Sequence, residues 1–471
     1  MRKSKLTCSL LFIFALFFTC ACKTSWTGEK PSKVQPPAQA AEKVNAPRTS
    51  PVDVFIIAMD STRWDHLETY GYKVPTSPGL AALAKQSIVF TRAYTTAPWT
   101  LPAFATLMTG HHPYAVGIRR EDNGMTSGVL TLPQLFNKNG YQTAGVISHI
   151  YLEKKYGVTT DFEFLDTRIS QQPITSPHVT NTALKYLEQN KDKPLFMLLH
   201  YFDPHYSYIM HDILNTYPDY KGRLCSDMDL FELRDMASTM NKDDHRYLNA
   251  LYDSEIRFTD SHVDRFLTGL KKAGKYDDAL IVFLADHGEE LGNRPPLYWV
   301  GHTKTVTEET IRVPLFIKLP GSSSSRTIHQ PISTVDLMPT IARLAGIDIP
   351  KNSGIWGRAL DLNKPENNRR TVFSETGRFD NYQTAIKGNW KLVAHGRNEH
   401  ATYQLHDLSK DVWEHKDLSN EETGKLSELK AELAEWKRKL EEQKKKIVPK
   451  EAKPDLSKEE KERLRSLGYI K

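Results

Sequence analysis

The chain has 471 residues, of which 39% are hydrophobic and 25% charged, as in a globular protein with a large core or two domains. This composition excludes a disordered or fibrous chain. The formal net charge of +6 includes three cations at the extreme N-terminus, Arg2, Lys3 and Lys5, and no dense basic patch occurs outside a C-terminal helical region. We therefore expect no nucleic-acid binding.

The first 22 residues are typical of an export signal. Basic residues precede an apolar run at 10–18, which is too short for a comfortable transmembrane span. Cys22 follows the small residue Ala21, so the segment resembles a bacterial lipoprotein signal, and this resemblance implies lipid attachment at Cys22. We expect an exported protein held on the membrane of the cell envelope by this anchor, with a periplasmic or secreted protein as the alternative. Residues 23–50, rich in Pro, Ala, Lys and Gln, predict a flexible linker.

Short apolar runs then alternate with helix-like stretches along the chain. The runs occur at 52–60, 143–148, 195–200, 280–286 and 313–317. The clearest helix-like stretches between them are 77–86, 181–190 and 252–272. This alternation predicts an α/β fold with an open, mostly parallel sheet and helices on both faces. Ligands of such sheets bind beyond the carboxyl ends of the strands, which is where Asp60, His200 and the pair Asp286-His287 fall.

Four residues fall at or near those strand ends and offer ligands for a divalent cation. They are Asp60, Thr100, Asp286 and His287, a set of oxygen and nitrogen donors. Each has an ordinary structural explanation when taken alone, such as a helix cap or a turn. Because all of them are expected at one edge of one sheet, we predict a metal site there.

Several motifs resemble the signatures of the sulfatase family within the alkaline phosphatase superfamily. They lie at 59–67, 202–205, 252–256, 285–292, 308–314, 335–340 and 403–408. The resemblance covers nearly the whole mature chain. It implies an alkaline phosphatase-like sandwich with a small C-terminal subdomain of antiparallel sheet and helix. The predicted domains are a signal peptide at 1–22, a linker at 23–50, a catalytic domain at 51–363, the small subdomain at 364–447 and a tail at 448–471.

Three positions depart from the sulfatase pattern. Sulfatases have Cys or Ser where this chain has Thr100, and they oxidise it to formylglycine, for which threonine has no route. Ser61 stands where a second metal-binding Asp is usual, and Phe104 where an Arg supports the aldehyde hydrate. The remaining set is similar to the one-metal site of lipoteichoic acid synthases and other enzymes that transfer phosphoryl groups through threonine.

We therefore expect an enzyme in which Thr100 attacks phosphorus and forms a covalent phosphothreonine. The substrate would be a small-molecule, glycan or lipid ester of the envelope, and the product forms by transfer to water or to an acceptor alcohol. Two alternatives stay open. One is a sulfuric ester hydrolase, as the family name implies, and the other is a non-catalytic binding protein that keeps the fold.

The resemblance also implies roles for residues around the metal. His205 and His302 are predicted to be catalytic, acting on a substrate oxygen or a leaving group. The predicted substrate contacts are His149, Tyr151, Lys304 and Arg63. We predict one divalent metal ion, with Mn²⁺ favoured because a histidine joins the oxygen ligands and with Mg²⁺, Zn²⁺ and Ca²⁺ as alternatives. His111 and His112 are expected at the surface or at the rim of the site. The sequence carries no signal for a particular oligomeric state.

Overall fold

The computed structural model describes residues 51–170, 172–190, 193–295, 297–365, 369–377, 381–396, 400–447 and 453–466. The predicted signal peptide, linker and lipid-attachment residue Cys22 lie outside the described residues. Within the described ranges, no helix has the length and apolarity needed to cross a membrane.

A large sheet of nine strands, counted over the described residues, forms the centre of the molecule. Its strands are β1 (Val54–Met59), β2 (Ile88–Tyr94), β3 (Gln142–Val146), β4 (Phe164–Asp166), β5 (Leu195–Tyr201), β6 (Leu280–Ala285), β9 (Arg312–Lys318), β10 (Arg326–Ile328) and β11 (Ile332–Ser333). The spatial order is β10-β2-β9-β6-β1-β5-β3-β4, with β11 also beside β2. All pairs are parallel except those that β9 makes. The prediction of a mostly parallel sheet is confirmed. A separate short ribbon pairs β7 (Glu290–Leu291) with β8 (Val300–Gly301).

Helices cover both faces of this sheet, and a few lie elsewhere. In chain order they are α1 (Pro78–Ala84), α2 (Thr100–Thr109), α3 (Leu132–Lys138), α4 (Ser176–Gln189), α5 (Leu230–Ala237), α6 (Lys242–Lys272), α7 (Glu308–Ile311), α8 (Leu337–Leu344), α9 (Thr423–Ile447) and α10 (Lys458–Ser466). Strand β1 is buried throughout, and its successive side chains enter opposite cores. Ile56 packs in the core that contains α2, α3 and α8, whereas Ile57 packs in the core of α1, α4 and α6. A strand buried on both faces needs a continuous apolar run, as this sequence has.

The C-terminal part forms an antiparallel sheet of four strands among the described residues. Its strands follow chain order as β12 (Val372–Thr376), β13 (Tyr382–Lys387), β14 (Trp390–His395) and β15 (Thr402–Asp407). Helix α9 packs on it through residues at helical spacing: Leu429, Leu433, Trp436 and Leu440. The predicted small subdomain of antiparallel sheet and helix is confirmed, and the boundary at 363/364 stays a prediction.

The small sheet rests on the carboxyl-end edge of the large one. The N–H of Glu375 on β12 donates to the carbonyl of Thr96 at 2.9 Å, and Thr376 Oγ1 donates to the carbonyl of Thr303 at 2.5 Å. The ammonium of Lys391 on β14 is fully buried, 3.1 Å from Glu308 Oε1. These contacts place the small sheet beside the predicted site.

Candidate active site

Parallel pairing brings the predicted ligands to one edge of the sheet. Because Met59 of β1 lies opposite Ala285 of β6, the next residues, Asp60 and Asp286, leave the sheet side by side. His287 follows directly. One ligand atom from each of Asp60, Asp286 and His287 lies within 4.8 Å of the others, and all three side chains are buried.

The hydrogen bonds of His287 leave its other ring nitrogen directed into this cluster. Its Nδ1 donates to the carbonyl of Gly288 at 2.9 Å, so the neutral ring has a lone pair on Nε2. That atom lies 3.5 Å from Asp60 Oδ1 and 3.4 Å from Asp286 Oδ2. Metal-bound histidines have this arrangement, in which the second nitrogen is tied to a carbonyl.

The donor set fits a divalent cation on two further grounds. Asp60 Oδ2 and Asp286 Oδ2 are buried and have no hydrogen-bond partner among the described residues. Two carboxylates and an imidazole lone pair are all acceptors, so burial of the three together is costly without a cation between them. The glycine after His287 is also required, because a Cβ on Gly288 would lie 1.9 Å from the carbonyl oxygen of Glu309.

Ser61 is tied to the two carboxylates by its hydrogen bonds. Its hydroxyl donates to Asp60 Oδ1 at 2.9 Å, and its N–H donates to Asp286 Oδ1 at 3.3 Å. The residue adopts a left-handed backbone conformation, with φ of 53°, to make both bonds. Ser61 therefore orients the ligands.

The two carboxyl groups differ in their electrostatic surroundings. Burial alone would raise the pKa of Asp60, but the nearby rings of His200 and His205 more than offset it and hold this pKa far below its usual range. Burial, followed by the charge of Asp60, raises the pKa of Asp286 to about 6. Without a cation, the second carboxylate is thus held at an energetic cost.

Thr100 lies beside this cluster. It is the first residue of α2 and fully buried, and its Oγ1 lies 3.4 Å from His287 Nε2. Since the preceding Trp99 is extended, the chain turns into the helix at this point and directs the hydroxyl to the sheet edge. The structure therefore brings together all four predicted metal-site residues. Their roles as ligands and nucleophile remain predictions.

His200 also reaches the cluster, at the strand ends where the sequence predicts it, although no ligand or catalytic role was predicted for it. The Ser148 hydroxyl donates to the His200 carbonyl at 2.5 Å, so His200 Nδ1 donates to the same hydroxyl oxygen at 3.1 Å. His200 Nε2 lies 3.4 Å from Asp60 Oδ2, and both atoms are without a hydrogen bond among the described residues. Phe104, which stands in place of the family arginine, packs edge-on against this ring at 5.2 Å.

The predicted catalytic histidines His205 and His302 lie next to each other beside the cluster. Their ring centroids are 4.9 Å apart, and His302 is 4.3 Å from the ring of His287. His302 Nδ1 donates to Glu289 Oε1 at 3.0 Å, and His205 Nδ1 donates to the Tyr206 carbonyl at 2.9 Å. Burial lowers the pKa of His205 to about 4.

His149 and Tyr151 also lie at this edge. His149 Nδ1 accepts a bond from the N–H of Tyr151 at 3.0 Å, so Nε2 carries the proton of the neutral ring. Its ring is 5.9 Å from that of His205, and burial lowers its pKa well below the usual value. The Tyr151 ring packs against His149 and Trp99 at 5.3 and 5.6 Å.

Two predicted substrate contacts have other partners. Arg63 binds Asp65 through two nitrogens, at 3.0 and 2.8 Å, and donates to the carbonyl of Glu289 at 3.2 Å. The Lys304 ammonium lies 4.5 Å from the centre of the Trp299 ring. In the described contacts neither cation touches the cluster.

Comparison with known families identifies the fold. A family model described as sulfatase matches residues 53–347, and one described as the C-terminal part of N-sulphoglucosamine sulphohydrolase matches residues 301–446. The chain belongs to the sulfatase family. Sulfatase-family enzymes are metal-dependent, which agrees with the buried cluster at this sheet edge.

Several relatives are named as sulfatases of saccharides. The chain is 23% identical over 449 residues to a Δ4,5-hexuronate-2-O-sulfatase of Bacteroides thetaiotaomicron, a match that covers 84% of this chain and 88% of that protein. It is 25% identical over 341 residues to an ulvan-active sulfatase of Formosa agariphila, which covers 66% of this chain and 64% of that protein. A solved complex with its substrate D-glucosamine-2-N,6-O-disulfate has the same fold, with a TM-score of 0.67 at 20% identity, over 85% of this chain and 99% of that one.

These comparisons overturn the phosphoester prediction, which is wrong. It rested on Thr100 in the nucleophile position, whereas the relatives are named for sulfate esters, the stated alternative. The physical reason for the error is that sulfate and phosphate esters are both tetrahedral oxyanions. A cation with histidine donors can hold either, so the residue type at position 100 does not identify the ester.

Proposed function

We propose that this protein is a metal-dependent sulfuric ester hydrolase that acts on a sulfated saccharide. The observation that carries the proposal is the convergence of Thr100 Oγ1 with the Asp60, Asp286 and His287 cluster, in a chain of the sulfatase family. The names of the saccharide-specific relatives support the substrate class. Because this chain has threonine at the position of the family aldehyde, the threonine hydroxyl itself is the proposed sulfonyl acceptor.

A divalent cation held by Asp60, Asp286 and His287 would polarise the sulfate and favour ionisation of a nearby hydroxyl. Mn²⁺ remains the predicted ion. His200 is a further candidate to hold this cation or to orient Asp60, because its Nε2 is directed at Asp60 Oδ2. Metal analysis of the purified protein by mass spectrometry tests the identity of the ion.

In the proposed first step, Thr100 Oγ1 attacks sulfur while the bond between sulfur and the sugar oxygen breaks. The threonine proton passes to His302, whose Nδ1 is held by Glu289, and from there to the leaving sugar alkoxide. His149, with its proton on Nε2, donates to a sulfate oxygen. Water then attacks sulfur of the O-sulfothreonine, which releases hydrogen sulfate and restores the hydroxyl.

The second step is expected to be the slow one. A threonine ester has no neighbouring hydroxyl on the same carbon to expel sulfate, so water must displace it. We therefore expect a burst of desulfated sugar, followed by slow turnover. With an isotopically labelled sulfate ester, the label should appear on the peptide that contains Thr100.

The test measures sulfate release by ion chromatography. The substrates are glucosamine 6-O-sulfate, N-sulfoglucosamine, an unsaturated hexuronate 2-sulfate disaccharide and ulvan oligosaccharides, each with Mn²⁺ or with chelator. We expect metal-dependent release that falls at least a thousandfold in Thr100→Ala. Thr109→Ala, the same change at the other end of α2, should keep activity. Undiminished release by Thr100→Ala, or turnover confined to phosphate esters, would refute the proposal.

We also propose export and lipid attachment at Cys22. Cys22→Ser should shift the protein from the membrane fraction to the soluble one and abolish incorporation of labelled palmitate. Unchanged labelling in this variant would refute the anchor and leave the sulfatase proposal untouched.

A further inference from the structure

A cleft lies between the catalytic sheet and the small subdomain, beside the residues that precede the proposed nucleophile. Its volume is about 260 Å³, and Trp99, Pro102, Thr376 and Lys437 contribute to its walls. Trp99 directly precedes Thr100, and Thr376 binds the carbonyl of the residue after His302. The cleft therefore shares Trp99 and Thr376 with the segments that frame the candidate active site.

A second hollow continues this cleft outward. Its volume is about 290 Å³, and it shares the walls Tyr114 and Arg119 with the first. Each volume is near the lower end of the range for small-molecule sites, roughly 300 to 1,000 Å³. We name the two hollows together the basic track, because their described walls carry five cations and three carboxylates. The cations are Arg119, Arg120, Lys437, Lys444 and Lys453, and the carboxylates are Glu375, Glu441 and Asp122.

Tyr114 holds two of these cations in place. The guanidinium of Arg119 lies 4.5 Å from the centre of its ring, and the ammonium of Lys444 lies 4.2 Å from it. The Tyr114 hydroxyl donates to Glu441 Oε1 at 2.8 Å. Cations that rest on an aromatic face stay in position and keep their N–H donors available to an anion.

Three of the track cations lack carboxylate partners. In the part of the chain that the structure describes, no carboxylate oxygen lies within 4.0 Å of the charged nitrogens of Arg119, Lys437 or Lys444. Lys437 is half-buried, and burial lowers its pKa, which Glu375 only partly offsets. A solvated surface face usually explains a run of lysines, but a desolvated cation without a counter-ion favours binding of an anion.

We propose that the basic track binds anionic units of a sulfated oligosaccharide beyond the sugar whose ester is cleaved. The substrate is then a chain of at least two charged sugars, and a monosaccharide sulfate would occupy the active site without reaching the track. This inference rests on the proposed function. The alternative occupant, an anionic lipid surface, would need a convex or flat basic face, whereas these cations line hollows that lead from Trp99.

The test is a binding assay that does not require turnover. The ligand is a fluorescent heparin tetrasaccharide, and the protein carries Thr100→Ala. In this background, Lys437→Gln with Lys444→Gln removes two track cations. Lys445→Gln with Lys446→Gln makes the same charge change at exposed positions of α9 outside the track. We expect binding about tenfold weaker in the track variant, with a smaller dependence on salt, and unchanged binding in the control.

Two further measurements, of turnover and of binding to lipid vesicles, separate the possible outcomes. With Thr100 restored, the track variant should keep kcat/KM for glucosamine 6-O-sulfate within twofold and lose about tenfold for the sulfated tetrasaccharide. Equal effects of the two double variants on binding would refute the track. Loss of binding to phosphatidylglycerol vesicles without loss of tetrasaccharide binding would refute it in favour of a membrane contact. If no sulfate is released but tetrasaccharide binding depends on the track cations, the proposed hydrolase function is refuted and the binding role of the track is supported.

Discussion

Asp286→Asn should stabilise the metal-free protein and remove its response to metal. The pKa of Asp286 is raised from 3.8 to about 6, first by burial and then by the charge of Asp60. Because the folded-state pKa lies above the unfolded one, ionisation costs stability as pH rises from about 4 to about 6, and the full cost persists above that. At 1.36 kcal/mol per pKa unit, this cost is about 3 kcal/mol at pH 7.5.

Asparagine removes this cost while keeping the local hydrogen bonds. Asp286 Oδ1 accepts from the N–H groups of Ser61 and His287, at 3.3 and 2.9 Å, and the carbonyl oxygen of asparagine can do the same. The unfolding entropy of a chain of this length is about 1 kcal/mol/K, so 3 kcal/mol corresponds to a rise in Tm of about 3 °C. Mn²⁺ at about 100 times its Kd should raise the wild-type Tm by a similar amount.

The assay is thermal unfolding at pH 7.5, in chelator and in Mn²⁺. Wild type should gain about 3 °C with metal, whereas Asp286→Asn should start higher and gain little. Asp253→Asn is the matched control, because Asp253 is buried but has partners in His66 Nδ1 and the Tyr72 hydroxyl, both at 2.7 Å. It should destabilise the protein and keep the metal response. If Asp286→Asn lowers the metal-free Tm as Asp253→Asn does, the reasoning about uncompensated carboxylates is wrong.

Three further changes probe the frame around the site. Lys391→Met removes the buried ammonium that lies 3.1 Å from Glu308 and 2.6 Å from Glu414, two buried carboxylates, and should cost about 3 to 5 kcal/mol in urea unfolding. Gly288→Ala forces the Glu309 carbonyl away and should weaken Mn²⁺ binding at least tenfold by calorimetry. Burial lowers the pKa of His112 to about 3, so stability falls as pH drops below 6.5; His112→Gln should reduce the loss between pH 7 and 5 by about 2 kcal/mol.

Each change has a control elsewhere in the chain. Lys387→Met removes an exposed ion pair and should cost less than about 1 kcal/mol. Gly424→Ala meets no atom within 4 Å and should leave metal binding unchanged. His415 is exposed, so His415→Gln should not alter the loss of stability between pH 7 and pH 5. Effects as large in a control as in its partner variant would contradict the corresponding prediction.

The sheet-edge geometry was predictable, because it follows from a short-range pattern. An apolar run that ends in a carboxylate predicts a parallel strand with that carboxylate at its end, and Asp60 and Asp286 both obey this rule. His200 was expected at this same edge but was given no ligand or catalytic role, because it lies within β5, where alternate positions normally serve packing. Its role depends on the register of β5 against β1, which places it opposite Ala58, next to Asp60.

Side-chain partners distant in sequence were not predictable. The expectation that His111 and His112 lie at the surface is wrong, since both are buried. Trp436 of α9 donates to His112 Nε2 at 3.3 Å, and a contact across more than 300 residues leaves no local signal. Arg63 is similar, because its guanidinium donates to the carbonyl of Glu289, more than 200 residues away.

Thr100 and Phe104 are best understood together. A family-type arginine at position 104 would place a cation against the His200 ring, in a core where Phe104 is fully buried and 5.2 Å from it. In this chain position 104 instead offers an uncharged ring to His200, whose Nε2 lies 3.4 Å from Asp60 Oδ2. Restoring only the nucleophile, by Thr100→Cys, therefore leaves the aldehyde hydrate without its support. The site is consistent as it stands, with an uncharged wall beside the threonine hydroxyl and with the positive charge concentrated at the metal position.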